Sequence, residues 1–139
     1  GKKVDDINTA DVVLLGVSRT SKTPTSIYLA NRGYKTVNIP LVLDQKIPKD
    51  LYSNNTSCIV GLIADPERLS DIRRNRVAIM QDQNLKEYTD LDSIKKEVED
   101  SKKLFKKNNW PIIDVTRRSV EETAASILKI IEIKKNKWK

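Results

Sequence analysis

Short apolar runs alternate along this chain with longer stretches in which apolar and polar residues recur at helical spacing. Strands are predicted over the apolar runs at residues 12–15, 58–63 and 111–115, and over the alternating, β-rich run at 35–39. Helices are predicted after the turn at residues 16–23, over 66–80, over 91–108 and from Ser119 onwards. Short continuous apolar runs separated by helices are typical of parallel strands covered on both faces. The pattern therefore predicts the α/β class, with a parallel sheet of about four strands and helices on both faces.

The turn between the first strand and the first helix has the composition of a phosphate-binding loop. Such a loop needs a tight turn, a helix N-terminus, a lysine for the outer phosphates and a neighbouring hydroxyl for Mg²⁺. Lys22 and Thr23 stand at those last two positions, whereas Ser21 replaces the glycine expected before the lysine, where φ can be positive. The alternative is an ordinary strand–loop–helix with a surface lysine. The candidate nucleotide-binding residues are Gly16, Val17, Ser18, Arg19, Thr20, Ser21, Lys22 and Thr23, with Thr23 the candidate metal ligand.

Two acidic residues stand at the ends of predicted strands. Asp65 follows the strand at 58–63 and precedes Pro66, so it can cap the next helix or hold a Mg²⁺-bound water, and capping is the favoured interpretation. Asp114 lies near the end of the last strand, where it could serve as a metal ligand or a base. Together with Lys22, these two carboxylates are the candidate catalytic residues.

Four arginines are candidates for binding phosphate or the phosphoryl acceptor. At 100° per residue, Arg73 and Arg76 fall on the apolar face of the helix over 66–80, whereas Arg74 points away. They either form an inward basic site, or reach the rim of the face, or pair with a core carboxylate. Arg117 and Arg118 follow the last strand, at the sheet edge where α/β proteins bind ligands. Their alternative is local pairing with Glu121 or Glu122 in the final helix.

Composition narrows the class of protein. The 139 residues carry 26 Lys and Arg against 19 Asp and Glu, a net charge of +7 that suits anionic ligands. There is no histidine and one cysteine, which excludes a histidine base and a disulfide framework. Aromatic residues are only 5%, which disfavours a nucleic-acid binder. No apolar run approaches the roughly 20 residues of a membrane span. We therefore expect a cytoplasmic protein without nucleic-acid or membrane partners.

Three segments in the same order resemble the pyruvate, phosphate dikinase regulatory protein family, whose members are bifunctional serine/threonine kinases and phosphorylases. They are residues 16–42, GVSRTSKTPTSIYLANRGYKTVNIPLV, residues 65–76, DPERLSDIRRNR, and residues 110–124, WPIIDVTRRSVEETA. The order of strands and helices resembles that of small P-loop kinases, and phosphoryl transfer at such a loop uses Mg²⁺. The family resemblance implies that the donor is ADP and that an active-site threonine of the dikinase is phosphorylated, which inactivates the dikinase. It also implies reactivation by inorganic phosphate, which releases pyrophosphate. The pair Thr20-Ser21 looks like the dikinase branch, since the branch acting on phosphoenolpyruvate synthase usually has Cys-Gly there.

Members of that family extend about as far again on the N-terminal side. The resemblance therefore implies that residues 1–9 connect to an upstream domain, that 10–133 form the kinase/phosphorylase domain and that 134–139 are a basic tail. The alternatives are a nucleotide-binding module that is inactive without the upstream part, or a P-loop kinase for a small metabolite. The residues alone leave open the choice between ADP and ATP, the general base and any homo-oligomer.

Overall fold

The computed structural model describes residues 10–17, 19–41, 58–80 and 90–137, with the backbone alone at 76–80 and 135–137. The elements in chain order are β1 (Val12–Gly16), α1 (Lys22–Asn31), β2 (Thr36–Pro40), β3 (Cys58–Ile63), α2 (Pro66–Met80), α3 (Leu91–Lys107), β4 (Ile112–Asp114) and α4 (Val120–Lys137). All eight predicted elements are present, and their bounds differ from the predicted ones by a few residues at most. The predicted connection at residues 1–9 lies outside the described residues, while α4 continues into the predicted tail.

The four strands form one parallel sheet in the order β2-β1-β3-β4, which confirms the predicted fold class. Strands β1 and β3 are central, β2 lies at the edge next to β1, and β4 lies at the opposite edge next to β3. Strand order therefore reverses between β1 and β3, and open α/β sheets bind ligands beyond the carboxyl ends of the strands at such a switch point. The loop after β1 and the segment after β3 both lie there.

Helices cover both faces of the sheet. Side chains alternate along each strand, so Leu14 and Leu62 lie in the core on the side of α1 and α4, which pack against each other. On the other side Leu15 packs in a cluster with Phe105 of α3. Phe105 lies so close to Gly61 in β3 that a β-carbon there would fall 2.4 Å from its ring. The central strands β1 and β3 are therefore buried on both sides, as their unbroken apolar runs predict. The edge strands β2 and β4 are only partly buried.

Helix α1 corrects one part of the predicted core. The sequence pattern gave Ile27, Leu29 and Ala30 as its apolar positions, but Leu29 alone of these is buried, Ala30 is exposed and Ile27 is 57% exposed. The buried stripe instead runs through Thr25 and Leu29, four residues apart on one face. Ile27 lies nearly opposite that face, because two helical steps turn the side chain by about 200°.

The predicted helix ends are confirmed. The Arg68 backbone N–H donates to Asp65 Oδ2 over 3.3 Å, so Asp65 caps α2. Ser119 and Glu122 form the predicted capping box of α4, with the Glu122 N–H donating to Ser119 Oγ over 3.1 Å. Gly33 follows α1 with φ of 90°, the left-handed conformation expected after a helix. No helix in the described ranges is long and apolar enough to cross a membrane.

Candidate functional site

The loop between β1 and α1 is packed tightly against the neighbouring strand. A β-carbon at Gly16 would lie 2.5 Å from Thr20 Oγ1 and 2.9 Å from the Leu62 carbonyl oxygen of β3. Only glycine at this position lets the chain turn while Thr20 stays fully buried beneath the loop. The glycine predicted at the start of the loop is therefore required by the close packing of the loop against β3.

The backbone of the loop alternates in the sign of φ. Arg19 has φ of 71° and Ser21 has φ of 63°, whereas Thr20 between them is not in the positive region. Such alternation turns successive N–H groups towards one side and forms an anion-binding concavity. Ser21 thus adopts the left-handed conformation at the position where a glycine is usual. It precedes α1 without making a side-chain capping bond, so its hydroxyl does not occupy the first N–H groups of the helix.

Lys22 folds back over this loop. Its Nζ donates to the Val17 carbonyl oxygen over 2.7 Å and to Thr20 Oγ1 over 3.2 Å, and Thr20 Oγ1 donates to the same carbonyl over 2.9 Å. Burial, together with the positive charges of Arg73 and Arg19, lowers the pKa of Lys22 from 10.5 to about 8. An anion that binds beside Lys22 would stabilise its ammonium form, because the negative charge opposes the effects of burial and of the two arginines on its pKa.

A cleft of about 470 Å³ opens over the start of α1, and it is lined by Arg19, Ser21, Lys22, Thr23, Pro24, Pro40 and Ile72. Four of the eight predicted nucleotide-binding residues line this cleft, namely Arg19, Ser21, Lys22 and Thr23. Gly16, Val17 and Thr20 are buried and do not line it, and Ser18 lies outside the described residues. Thr23 is exposed and lines the cleft next to Lys22. Mg²⁺ is commonly held by one or two protein oxygens and by substrate phosphates. Thr23 therefore fits as the protein ligand of a Mg²⁺ ion that arrives with a nucleotide.

Arg73 does not line the cleft, although its neighbour Ile72 does. The side chain of Arg73 is fully buried, and Nη1 lies 2.8 Å from Glu97 Oε2 of α3. Its positive charge is one of the causes that lower the pKa of Lys22, after the burial of the lysine itself. Arg73 therefore combines two of the predicted alternatives, an inward-facing cation and a partner of a buried carboxylate. Arg74 is exposed, as predicted, and the side chain of Arg76 lies outside the described part.

A second cleft of about 950 Å³ lies at the same edge of the sheet, and it is lined by Asp65, Asp114, Thr116, Arg117, Arg118, Glu122, Ala125 and Ser126. Thr116 ties together the two strand ends that form it. The Asp65 N–H donates to Thr116 Oγ1 over 2.7 Å, and both the N–H and the hydroxyl of Thr116 donate to Asp114 Oδ1. The two carboxylates predicted as catalytic therefore share a cleft with each other, separate from that of Lys22.

Arg117 and Arg118 lie in the second cleft beside these carboxylates. Arg118 Nη1 donates to Ser126 Oγ over 2.7 Å. In the described parts of the chain, the ion pairs are Arg73–Glu97 and Lys102–Glu99. The predicted alternative, in which Arg117 or Arg118 pairs with Glu121 or Glu122, is therefore not observed there. The two arginines thus contribute positive charge to the wall of the cleft.

Comparison with known proteins decides the family. A family model described as kinase/pyrophosphorylase matches residues 1–128. The chain belongs to the kinase/pyrophosphorylase family. Relatives named as pyruvate, phosphate dikinase regulatory proteins include one from Pelagibacter ubique, 60% identical over 98% of this chain and 50% of its own length. Another, from Erythrobacter litoralis, is 54% identical over 87% of this chain and 44% of its own length. A third, from Caulobacter vibrioides, is 47% identical over 94% of this chain and 42% of its own length.

This kinase/pyrophosphorylase chain spans about half the length of the curated relatives it matches. The likeness extends over nearly the whole of the present chain, so both clefts lie inside the shared region. A parallel sheet with the Lys22 loop at its switch point is consistent with a P-loop kinase-like domain.

Sequence reasoning about this family member missed two residues of the site, Glu97 and Thr116, and gave Thr20 no role beyond the loop. Glu97 follows Ile94 by three residues and precedes Ser101 by four, so helical periodicity places it beside the buried face of α3. That spacing could have indicated a carboxylate for the inward-facing arginines. Nothing in the local sequence marks Thr116, because its role depends on β3 and β4 lying side by side.

Proposed function

We propose that this chain is the nucleotide-binding part of an ADP-dependent serine/threonine phosphotransferase acting on pyruvate, phosphate dikinase. In one direction it transfers the β-phosphoryl group of ADP to an active-site threonine of the dikinase, which is inactivated, and leaves AMP. In the other, inorganic phosphate takes the phosphoryl group from that threonine, which releases pyrophosphate and reactivates the dikinase. The observation that carries the proposal is the Lys22 loop at the sheet switch point of a kinase/pyrophosphorylase family member.

The loop is suited to both directions, because ADP and pyrophosphate share a diphosphate group. The alternating backbone at Arg19–Ser21 and the N-terminus of α1 offer N–H donors to that group, and Lys22 adds a charge-assisted hydrogen bond. Lys22 would turn from the Val17 carbonyl to the phosphate oxygens. Mg²⁺ held by Thr23 would supply positive charge at the transferring phosphoryl group. Phosphoryl transfer requires mainly such positioning and charge, which a site without histidine can provide.

The second cleft is suited to the acceptor side. Arg117 and Arg118 would hold inorganic phosphate or the phosphothreonine. Asp114 and Asp65, held by Thr116, would be the candidates for accepting the threonine proton. Because both clefts open at the carboxyl edge of one sheet, donor and acceptor would meet between them. This function implies a cytoplasmic protein.

One alternative is favoured by a specific observation. The chain spans about half the length of its relatives, so the surface that recognises the dikinase could belong to the other half. The chain would then bind ADP without transferring its phosphoryl group.

A transfer assay distinguishes these functions. The chain and a full-length relative are each incubated with ADP, Mg²⁺ and purified dikinase in its phosphohistidine form, and AMP release and dikinase activity are followed. Transfer by the chain, lost in Lys22→Met, supports the proposal, and ADP binding with transfer only by the relative supports the module. Phosphoenolpyruvate synthase is assayed in parallel as the alternative target, and ATP as the alternative donor. Absence of ADP binding to the chain would overturn both functions.

A further inference from the structure

The ion pair between Arg73 and Glu97 lies inside the protein. Arg73 on α2 has no exposed surface, and the Glu97 side chain on α3 is 15% exposed. Their closest recorded atoms, Nη1 and Oε2, are 2.8 Å apart. Removing two charges from water is costly, and such a pair is often no more stabilising than apolar residues of the same size. Its presence therefore raises the question of what the buried charge does.

The position of Arg73 suggests what it does. Its neighbour Ile72 lines the loop cleft, so this part of α2 forms the wall of the cleft. The positive charge of Arg73 is one of the causes that lower the pKa of Lys22. Glu97 approaches Arg73 from α3, whereas Arg73 itself belongs to α2, the helix that contributes Ile72 to the cleft. A positive charge fixed near the lysine in a poorly solvated site attracts an anion strongly.

We propose that Glu97 is a positioning residue, which fixes the buried guanidinium of Arg73 near Lys22 so that its charge acts on a diphosphate held by the loop. Arg73 acts on that ligand through its electric field and not by contact, since its side chain has no surface in the cleft. This inference rests on the proposed function, because it assumes that the loop binds a diphosphate. If Glu97 has this role, helix α3 also contributes to the affinity of the loop for a diphosphate.

The competing explanation is that the pair only fastens α2 to α3, which pack against each other. Replacing both members by methionine separates the two roles. Apolar side chains of similar size can take over the packing of a buried ion pair, whereas they cannot supply its charge. Stability and diphosphate affinity should therefore separate in the double variant.

The experiment measures pyrophosphate binding by calorimetry and stability by denaturant unfolding. The variants are Arg73→Met, Glu97→Met and the double variant, and the matched controls are Arg74→Met and Glu99→Met, which alter exposed neighbours on the same helices. We expect the double variant to unfold near the wild-type midpoint yet to bind pyrophosphate roughly tenfold or more weakly, as Arg73→Met does. Glu97→Met should also bind more weakly, because the guanidinium loses its anchor. The controls should bind as the wild type does.

Wild-type affinity in a stable double variant would overturn the inference, as would unchanged or tighter binding by Glu97→Met. If the double variant does not fold, Arg73→Lys and Arg73→Gln decide. Lysine should retain affinity within about threefold and glutamine should not, since only lysine keeps the charge, and equal affinities would overturn the inference. Lys22→Met separates the two proposals. If the wild type does not bind pyrophosphate, or if Lys22→Met binds it equally well, the proposed function itself fails.

Discussion

The ammonium group of Lys22 donates a 2.7 Å hydrogen bond to the carbonyl oxygen of Val17, the first residue after strand β1. The lysine therefore folds back over the loop from which its helix begins. Its charge is held where three backbone elements converge, namely the end of β1, the loop and the N-terminus of α1. This arrangement leads to predictions about charge, backbone strain and packing at the carboxyl edge of the sheet.

The affinity for ADP should decrease as the pH rises through about 8. The pKa of Lys22 is about 8 without ligand, because burial and the charges of Arg73 and Arg19 disfavour its ammonium form. A bound diphosphate raises that pKa, so the lysine contribution is complete below pH 8 and is lost as the pH rises from there to the pKa of the complex. Calorimetry between pH 6.5 and 9.5, roughly 1.5 units either side of that value, would test this.

The matched control for this pH dependence is Lys22→Arg, whose guanidinium stays charged over the same range. Titration of ADP and of the other groups is common to both proteins. An equal decrease in Lys22→Arg would mean that Lys22 is not the titrating group.

Replacing Ser21 by glycine should stabilise the protein. Ser21 has φ of 63° and ψ of 24°, a left-handed conformation, and makes no side-chain capping bond that the change would remove. A residue with a β-carbon in this conformation costs about 1–2 kcal/mol. We expect the free energy of unfolding to rise by about 1 kcal/mol, since glycine loses more entropy on folding. Ser21→Ala keeps the β-carbon, so an equal gain there in denaturant unfolding would contradict the explanation.

Gly16→Ala should weaken both the fold and the loop. The added methyl group would lie 2.5 Å from Thr20 Oγ1 and 2.9 Å from the Leu62 carbonyl, so either the loop or β3 must move. Overpacking of this kind costs about 1–3 kcal/mol. We also expect a severalfold loss of ADP affinity, because Thr20 is one of the two acceptors that hold Lys22.

Gly33→Ala is the matched control for this prediction. Gly33 has φ of 90°, but a β-carbon there would meet no atom within 4 Å. The substitution should therefore cost about 1 kcal/mol through backbone strain alone and leave ADP affinity unchanged. A similar loss of affinity in both variants would mean that the contact beneath the loop is irrelevant to binding.

Thr116→Val should impair the second cleft and spare the first. The substitution removes the hydroxyl that accepts from the Asp65 N–H and donates to Asp114. Asp65 and Asp114 are exposed, so the lost hydrogen bonds should cost only about 0.5–1.5 kcal/mol each in stability. We expect the reverse reaction to need a severalfold higher concentration of inorganic phosphate for half its maximal rate, whereas the affinity for ADP should be unchanged. Thr116→Ser keeps the hydroxyl and should behave as the wild type. Equal loss in both variants would show that the hydroxyl link is not the cause.

The sequence by itself determined the parallel sheet, the loop and the helix caps. These features depend on residues close together in the chain, such as the apolar run of each strand and the pair Ser119 and Glu122 at the start of α4. Local hydrogen bonds and periodic burial are encoded in such short segments. The unusual Ser21 also stood out in the sequence, although only the backbone angles showed that the loop keeps its form with a serine there.

Tertiary structure decided which of the candidate residues lie together. Asp65 and Asp114 share a cleft through Thr116, apart from Lys22, and Arg73 meets a carboxylate 24 residues away. Helical periodicity placed Arg73 on the buried face but could not identify Glu97, because that contact depends on how α2 packs against α3. Likewise, Ile27 is apolar yet exposed, since the packing of α1 against β1 and α4 selected a different face. Contacts between elements far apart in the chain are set by the packing of the whole sheet and its helices, which no local pattern specifies.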